Sequence, residues 1–207
     1  MDSVIKADLF RYFGKNDVKT FLRSWFIPGF RFTYFLRKTA GHPKHSPMGL
    51  FYRYFLRRYR IKYGIHIAAQ TQIGRGLHIY HNGGIVINPE VSIGENCSLG
   101  SNITIGQANR GSRKGNPTMG NRVFVGSGAV VVGKVLIGDN VLIAPNAFVN
   151  FDVPSDSLVI GNPAKIIPDA NATLDYVVNL AGREADLVQA KPDAATVLIG
   201  VGKEMPL

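Results

Sequence analysis

From Ile67 to Val149 an apolar residue recurs at every sixth position. The beat falls at Ile67, Ile73 and Ile79, then at Ile87, Ile93, Leu99 and Ile105, and after a gap at Met119, Val125, Val131, Ile137, Ile143 and Val149. Glycine usually follows it, as at Gly74, Gly94, Gly100, Gly106, Gly120, Gly126 and Gly138. Four positions after the beat comes a second small or apolar side chain: Val91, Cys97, Ile103, Val123, Ala129, Val135, Val141 and Ala147. A period of six matches neither the 3.6 of a helix nor the unbroken alternation of a long strand. It predicts a parallel β-helix, in which short strands wind around a solenoid and the beat residue points inward. His66 and His78 each precede a beat residue, so both are expected to point outward.

The beat breaks twice. Between Ile79 and Ile87 the step is eight, and the two extra residues fall within His81-Asn82-Gly83-Gly84. Between Ile105 and Met119 it is fourteen, which leaves room for a loop from Gln107 to Pro117, expected to project toward a neighbouring chain. A stacked solenoid admits insertions only where the chain can leave the stack, and loops on a rigid scaffold are where function usually sits.

Upstream the pattern changes to helical spacing, broken at Pro28-Gly29 and at Gly41-His42-Pro43. Helices are predicted around Ser3–Tyr12, Val18–Phe26 and, most clearly, Pro47–Tyr63, with Asp17 as a cap for the second. Past Val149 the beat fades through Val159-Ile160-Gly161-Asn162-Pro163-Ala164-Lys165. In the last segment Leu174, Val177, Val178, Ala181, Leu187 and Val188 are spaced to line a helix that Pro192 would end. The chain therefore divides into a helical region, 1–64, a repeat domain, 65–168, and a C-terminal tail, 169–207.

Charge sharpens the division. The chain of 207 residues carries a net +10, but residues 1–64 hold 14 Lys or Arg against 3 acids, and 16 of the 21 aromatics. In the third helix Phe51, Phe55 and Tyr59 share one face, and Arg53, Arg57 and Arg60 form a stripe elsewhere. Two compatible readings stay open: peripheral contact with an anionic membrane, or a cap on the solenoid end that leaves the arginines in water. Nucleic acid is not expected, because no recognised nucleic-acid module accompanies the basic region. The single cysteine, Cys97, falls at an inward position and permits no disulfide within one chain, which agrees with a reducing, cytoplasmic setting. The first residues show no secretory signal, and no stretch is long and charge-free enough to span a bilayer.

The beat, GRGLHIYHNGGIVIN, TIGQANRGSRKGNPTMG and VIGNPAKII together resemble the hexapeptide-repeat acyltransferases. The closest branch is that of the serine acetyltransferases and the related O-acetyltransferases of surface-polysaccharide pathways. The resemblance covers residues 65–168 and leaves the tail uncovered. It implies a left-handed parallel β-helix, mainly β and preceded by the α-helical region, although the general rule for parallel crossovers would give the opposite hand. It also implies a homotrimer that uses acetyl-CoA.

Carried over residue by residue, the resemblance makes His81 the catalytic base. A hydroxyl is a poor nucleophile at neutral pH, and an imidazole is suited to take its proton. An isolated histidine is more often a solvated surface group, but this one sits on a repeat-breaking corner. Tyr80, Asn82 and Asn116 are the candidate acceptor-binding residues. For the cofactor, the matching positions are Gly106, Ser127, Pro145 and Lys165, and Arg113 and Lys114, with Arg110, are available for phosphates. The family's acidic residue before the base, the histidine ending its long loop and the Asp that orients the imidazole are here Tyr80, Asn116 and His66. These departures point away from free serine and toward a sugar hydroxyl in a surface polysaccharide or its precursor. Serine acetyl transfer and a non-catalytic scaffold remain the alternatives. No metal is expected: His66 and His78 lie on different faces, and His42 and His45 lie in a loop.

Overall fold

The computed structural model describes residues 2–182. Four helices come first: α1 (Ser3–Phe13), α2 (Val18–Ser24), α3 (Pro28–Ala40) and α4 (Pro47–Tyr63). Their ends are local chemistry. Asp17 accepts the Thr20 N–H at the start of α2, and Ser46 accepts that of Gly49 at the start of α4. Pro28 and Pro47 open their helices, and α1 and α4 stop at left-handed Gly14 and Gly64.

Fifteen short strands follow. Face A stacks β1 (Ile65–His66), β4 (Ile85–Ile87), β7 (Thr104–Gly106), β10 (Val130–Val132) and β13 (Phe148–Val149). Face B stacks β2 (Gln72–Ile73), β5 (Ser92–Ile93), β8 (Thr118–Met119) and β11 (Leu136–Ile137). Face C stacks β3 (His78–Ile79), β6 (Ser98–Leu99), β9 (Phe124–Val125), β12 (Val141–Ile143) and β14 (Ser157–Gly161), all parallel. The antiparallel β15 (Ala164–Pro168) closes that face as a hairpin with β14. This is the parallel β-helix that the six-residue beat predicts. The beat residues fill its interior, except that Ile73 is partly exposed beneath the helices. Their partners, Val91 to Ala147, are buried as well. Cys97 is among them, and burial pushes its thiol up to about 12.

The helices close the N-terminal end. Phe32, Phe35, Leu36, Leu56 and Tyr63 join the same apolar core as the coils, while Trp25, Tyr52, Phe55 and Tyr59 pack around them. Polar anchors fix the layer to the first coil. Asp8, 1% exposed, pairs with Arg37 at 2.9 Å and accepts the Leu77 N–H at 2.8 Å. Arg37 also donates to the Ile73 and Gly74 carbonyls. Arg11, fully buried, donates to the Gly76 carbonyl, to Ser98 Oγ and to the Val178 carbonyl. Gly29 lets α3 approach β3, since a Cβ there would lie 2.5 Å from the Ile79 carbonyl oxygen. No helix among the described residues is long and apolar enough to cross a membrane.

Three expectations are corrected. His66 is exposed, but His78 is buried: α1 lies over face C, and the ring sits between Tyr12 and Tyr80 with centroids 4.2 and 4.1 Å away. The Gln107–Pro117 loop does not simply project. Ala108 and Gly115 pair with each other, Arg113 reaches Asp152 at 3.0 Å, and the Lys134 N–H bonds the Arg113 carbonyl. Only its tip, from Asn109 to Ser112, is exposed throughout. The third concerns the tail. Residues 169–182 form turns rather than a helix, while Leu187, Val188 and Pro192 lie outside the described residues.

Burial, helped by nearby Arg11, pushes His78 down to about 3. It is therefore neutral in the fold but takes a proton near pH 6.5 once unfolded, so its contribution to stability is lost as pH falls below about 6.5. Thermal unfolding from pH 7 to pH 5 should show His78→Gln losing less stability than the parent. The difference in slope is at most about 1.4 kcal/mol per pH unit. Equal slopes would show that His78 does not carry this linkage.

Candidate functional site

Outside face C runs a groove of about 460 Å³. Its floor comes from the repeat. Gly100, Gly126 and Ala144 each follow a beat residue of this face, and their small side chains leave a trough along the stack. Phe124, Leu142 and Leu158 form its apolar ridge on one side. Ser127 and Pro145 form the rim on the C–A edge, with Ser127 Oγ accepting the Ser101 N–H at 3.2 Å. The glycines are required by the stack itself. A Cβ at Gly100 would lie 2.7 Å from the Ser127 nitrogen, and one at Gly126 would lie 2.6 Å from that of Pro145.

His81 stands at the head of this trough, where the chain leaves β3 and swings out before β4. The excursion turns on Gly83 and Gly84, at φ 106 and 64. The Gly83 carbonyl accepts the Asn102 N–H at 2.8 Å, tying the excursion to the next coil. His81 and Asn82 are exposed there, so the imidazole is open to a ligand. Tyr80 borders the same space, but its hydroxyl is committed: it donates to the Tyr176 carbonyl at 2.7 Å. Burial raises the Tyr80 phenol, and Arg11 opposes this. Of the two ways Tyr80 could meet an acceptor, stacking or hydrogen bonding, the hydroxyl of the second is thus already engaged by Tyr176. The Tyr80 ring lies between His78 and Phe124, with centroids 4.1 and 5.8 Å away.

The other sequence-derived candidates divide by edge. Lys165 lies opposite Ile160 in the hairpin at the foot of face C, exposed beyond the trough. Gly106, the last residue of β7, and Arg113, Lys114 and Asn116, between β7 and β8, belong to the A–B edge. One chain does not bring them to the groove. Arg113 is already paired with Asp152, and Asn116 Oδ1 is buried with no hydrogen-bond partner among the described residues. The exposed His66 lies on face A. Sequence reasoning missed the far wall, where Asp175 and Tyr176 line the groove. Nothing in the repeat points to them. The small residues of the floor were legible, because they occupy the position after the beat. Among the described residues, no group of three His, Cys, Asp or Glu is placed to hold a metal ion.

Residues 116–150 match the bacterial transferase hexapeptide (six repeats) family. The chain carries that repeat and resembles the serine acetyltransferases. The serine acetyltransferase of Helicobacter pylori is 42% identical over 104 residues, covering 50% of this chain and 61% of that protein. That of Synechococcus elongatus is 36% identical over 116 residues, covering 56% and 48%. The chain thus spans less than two thirds of the length of these curated relatives. Among solved structures, the Neisseria gonorrhoeae serine acetyltransferase in complex with serine superposes with a TM-score of 0.65 at 25% identity, covering 79% of this chain and 67% of that one. The Brucella abortus enzyme in complex with coenzyme A gives 0.68 at 23%, covering 80% and 67%. The shared fold is the left-handed parallel β-helix behind an α-helical region.

Proposed function

We propose that this chain is an acetyl-CoA-dependent O-acetyltransferase with His81 as general base. One observation carries the reading: an exposed imidazole stands at the head of a long, narrow, largely apolar trough. Strands in a sheet repeat about every 4.8 Å, so five coils give a trough on the order of 20 Å long. That shape fits a donor with a thin extended arm, and its floor of Gly100, Gly126 and Ala144 leaves room for one. Lys165 at the foot suits phosphate. The donor supplies an activated thioester. His81 takes the proton of the acceptor hydroxyl as that oxygen bonds to the acyl carbon. The carbon–sulfur bond breaks, and the imidazolium returns the proton to the departing sulfur.

The similarity to serine acetyltransferases supports serine as acceptor better than it supports a sugar. A sugar hydroxyl of a surface polysaccharide or its precursor is a second reading, and a specific observation favours it. An amino acid needs a carboxylate for its ammonium, yet the residue before the base is Tyr80, bound to the Tyr176 carbonyl. The acidic side chain in the groove lining is Asp175, on the opposite wall.

The proposal includes a homotrimer. Gly106, Arg113, Lys114 and Asn116 sit on the A–B edge and meet a groove only if it belongs to another copy. One further surface concerns where the enzyme works. Phe26, in the turn after α2, is 82% exposed, with Val18 and Leu22 exposed on α2 and Leu50, Tyr54 and Ile61 on α4. From Val18 to Pro89 the chain has no acidic residue. Apolar side chains among uncompensated cations suit peripheral contact with an anionic membrane, each exposed cation contributing roughly 1 kcal/mol.

Acetyl-CoA consumption with serine and with sugar acceptors tests the reaction. His81→Ala should reduce turnover with the productive acceptor by roughly 10²–10⁴-fold, and undiminished turnover would remove it as base. Rapid turnover of serine selects the first acceptor, and turnover of sugars alone selects the second. No turnover of either would leave a scaffold. Sedimentation of the active species should give a trimer, and an active monomer would defeat the shared site. Flotation with anionic vesicles should be salt-sensitive and should weaken in Leu22→Asp/Phe26→Asp; equal binding to neutral vesicles would exclude the charge-driven contact.

A further inference from the structure

Residues 169–182 double back from the last coil toward the helical layer as a strap. Near its start Asn140 donates to the Ala170 carbonyl at 2.8 Å and accepts the Thr173 hydroxyl. Near its end Arg11 donates to the Val178 carbonyl, Asn179 donates to that of Arg11, and Ala181 exchanges two bonds with Asn96. Ala172, Thr173, Val177 and Ala181 are buried in these anchorages. Between them Asp175 and Tyr176 are exposed and line the groove opposite the rim of Ser127 and Pro145. The Tyr176 ring meets Phe124 edge-on at 5.0 Å, and its carbonyl receives the Tyr80 hydroxyl.

We infer that Tyr176 is a binding residue of the groove, closing the wall that the repeat leaves open and contacting the thin arm of the acyl donor near its reactive end. This rests on the functional reading above. The coils provide a floor, a ridge and one rim of a trough open on its far side, and an open trough alone holds a thin ligand weakly. A half-exposed aromatic ring clamped across that side supplies the missing apolar contact. The site's position agrees, because Tyr176 bridges Tyr80, beside the candidate base, and Phe124, two coils farther along. Its side chain is separable from the clamp, since Tyr80 is bound by the backbone carbonyl of Tyr176. A substitution at Tyr176 therefore removes the ring and keeps the strap's anchors.

Coenzyme A binding to the full chain, measured by calorimetry alongside thermal unfolding, tests this. Tyr176→Ala should weaken binding about three- to tenfold, the size of one aromatic contact. Tyr176→Phe should bind like the parent. Leu174→Ala, on the same strap but outside the groove lining, should also leave binding unchanged. If Tyr176→Ala lowers the unfolding temperature while binding coenzyme A as the parent does, the ring is a structural cap and the inference fails alone. If the unaltered chain binds no coenzyme A, the functional reading fails and takes this inference with it.

Discussion

Each coil of the solenoid touches the next through its backbone at the corners, and side chains are excluded where it does so. At Gly74, Gly94, Gly120 and Gly138 an added Cβ would come within 2.4 to 2.8 Å of a backbone atom in the adjoining coil. Such distances cannot be relieved without separating the coils, and separation would break the parallel ladders that hold the three faces. On faces B and C this requirement explains why glycine follows the beat. It also shapes the outer surface. On face C the excluded side chains leave the trough of Gly100, Gly126 and Ala144, so a condition for stacking produces a concavity as a by-product.

A stack of this kind has open ends, and the helical layer covers one of them at a cost in buried charge. Asp8 and Arg37 are withdrawn from water together, and burial pushes the Asp8 carboxyl up against the pull of Arg37. Among the described residues Arg11 has no carboxylate partner and is stabilised by two carbonyls and a hydroxyl instead. Breaking one partner of such an arrangement leaves an uncompensated buried group, which typically costs about 3–5 kcal/mol. These contacts fix the layer in register with the first coil, where a purely apolar seam would allow sliding. They also draw down the positive charge of residues 1–64. Arg11 and Arg37 are spent on structure, and the surface charge comes from exposed cations such as Lys19, Arg23, Arg57 and Lys62.

The repeat was legible because each beat residue is placed by its immediate neighbours: one six-residue step makes one side of the prism. Helix α4 was legible for the same reason, with Ser46, Pro47 and Gly64 marking its ends locally. His78, Arg113 and Tyr176 depend instead on non-local contacts. His78 obeys the outward rule of the repeat, yet α1 lies over it, a contact spanning some sixty positions that periodicity cannot register. Arg113 looked free until the chain brought Asp152 beside it. Tyr176 had no pattern to belong to, because a strap held by paired hydrogen bonds to Asn96, Asn140 and Arg11 needs no repeat. His81 stood out because it breaks the rule of the repeat.

The positions of the two rule-breaking segments have a physical reason. A Cβ at Gly83 or Gly111 would meet nothing within 4 Å, in contrast to the stacking glycines. Both mark places where the chain has left the stack, one beside His81 and the other at the tip of the A–B loop. A reacting imidazole needs free space on the side from which an acceptor approaches, and the stack permits such space only where a coil is locally longer than its neighbours. The rigid trough and the open excursion are thus complementary. The first can hold a donor because every coil obeys the spacing, and the second can admit an acceptor because one coil does not. Their meeting point is the short run from Tyr80 to Gly84, where Tyr80 is fastened to the strap and His81 is free.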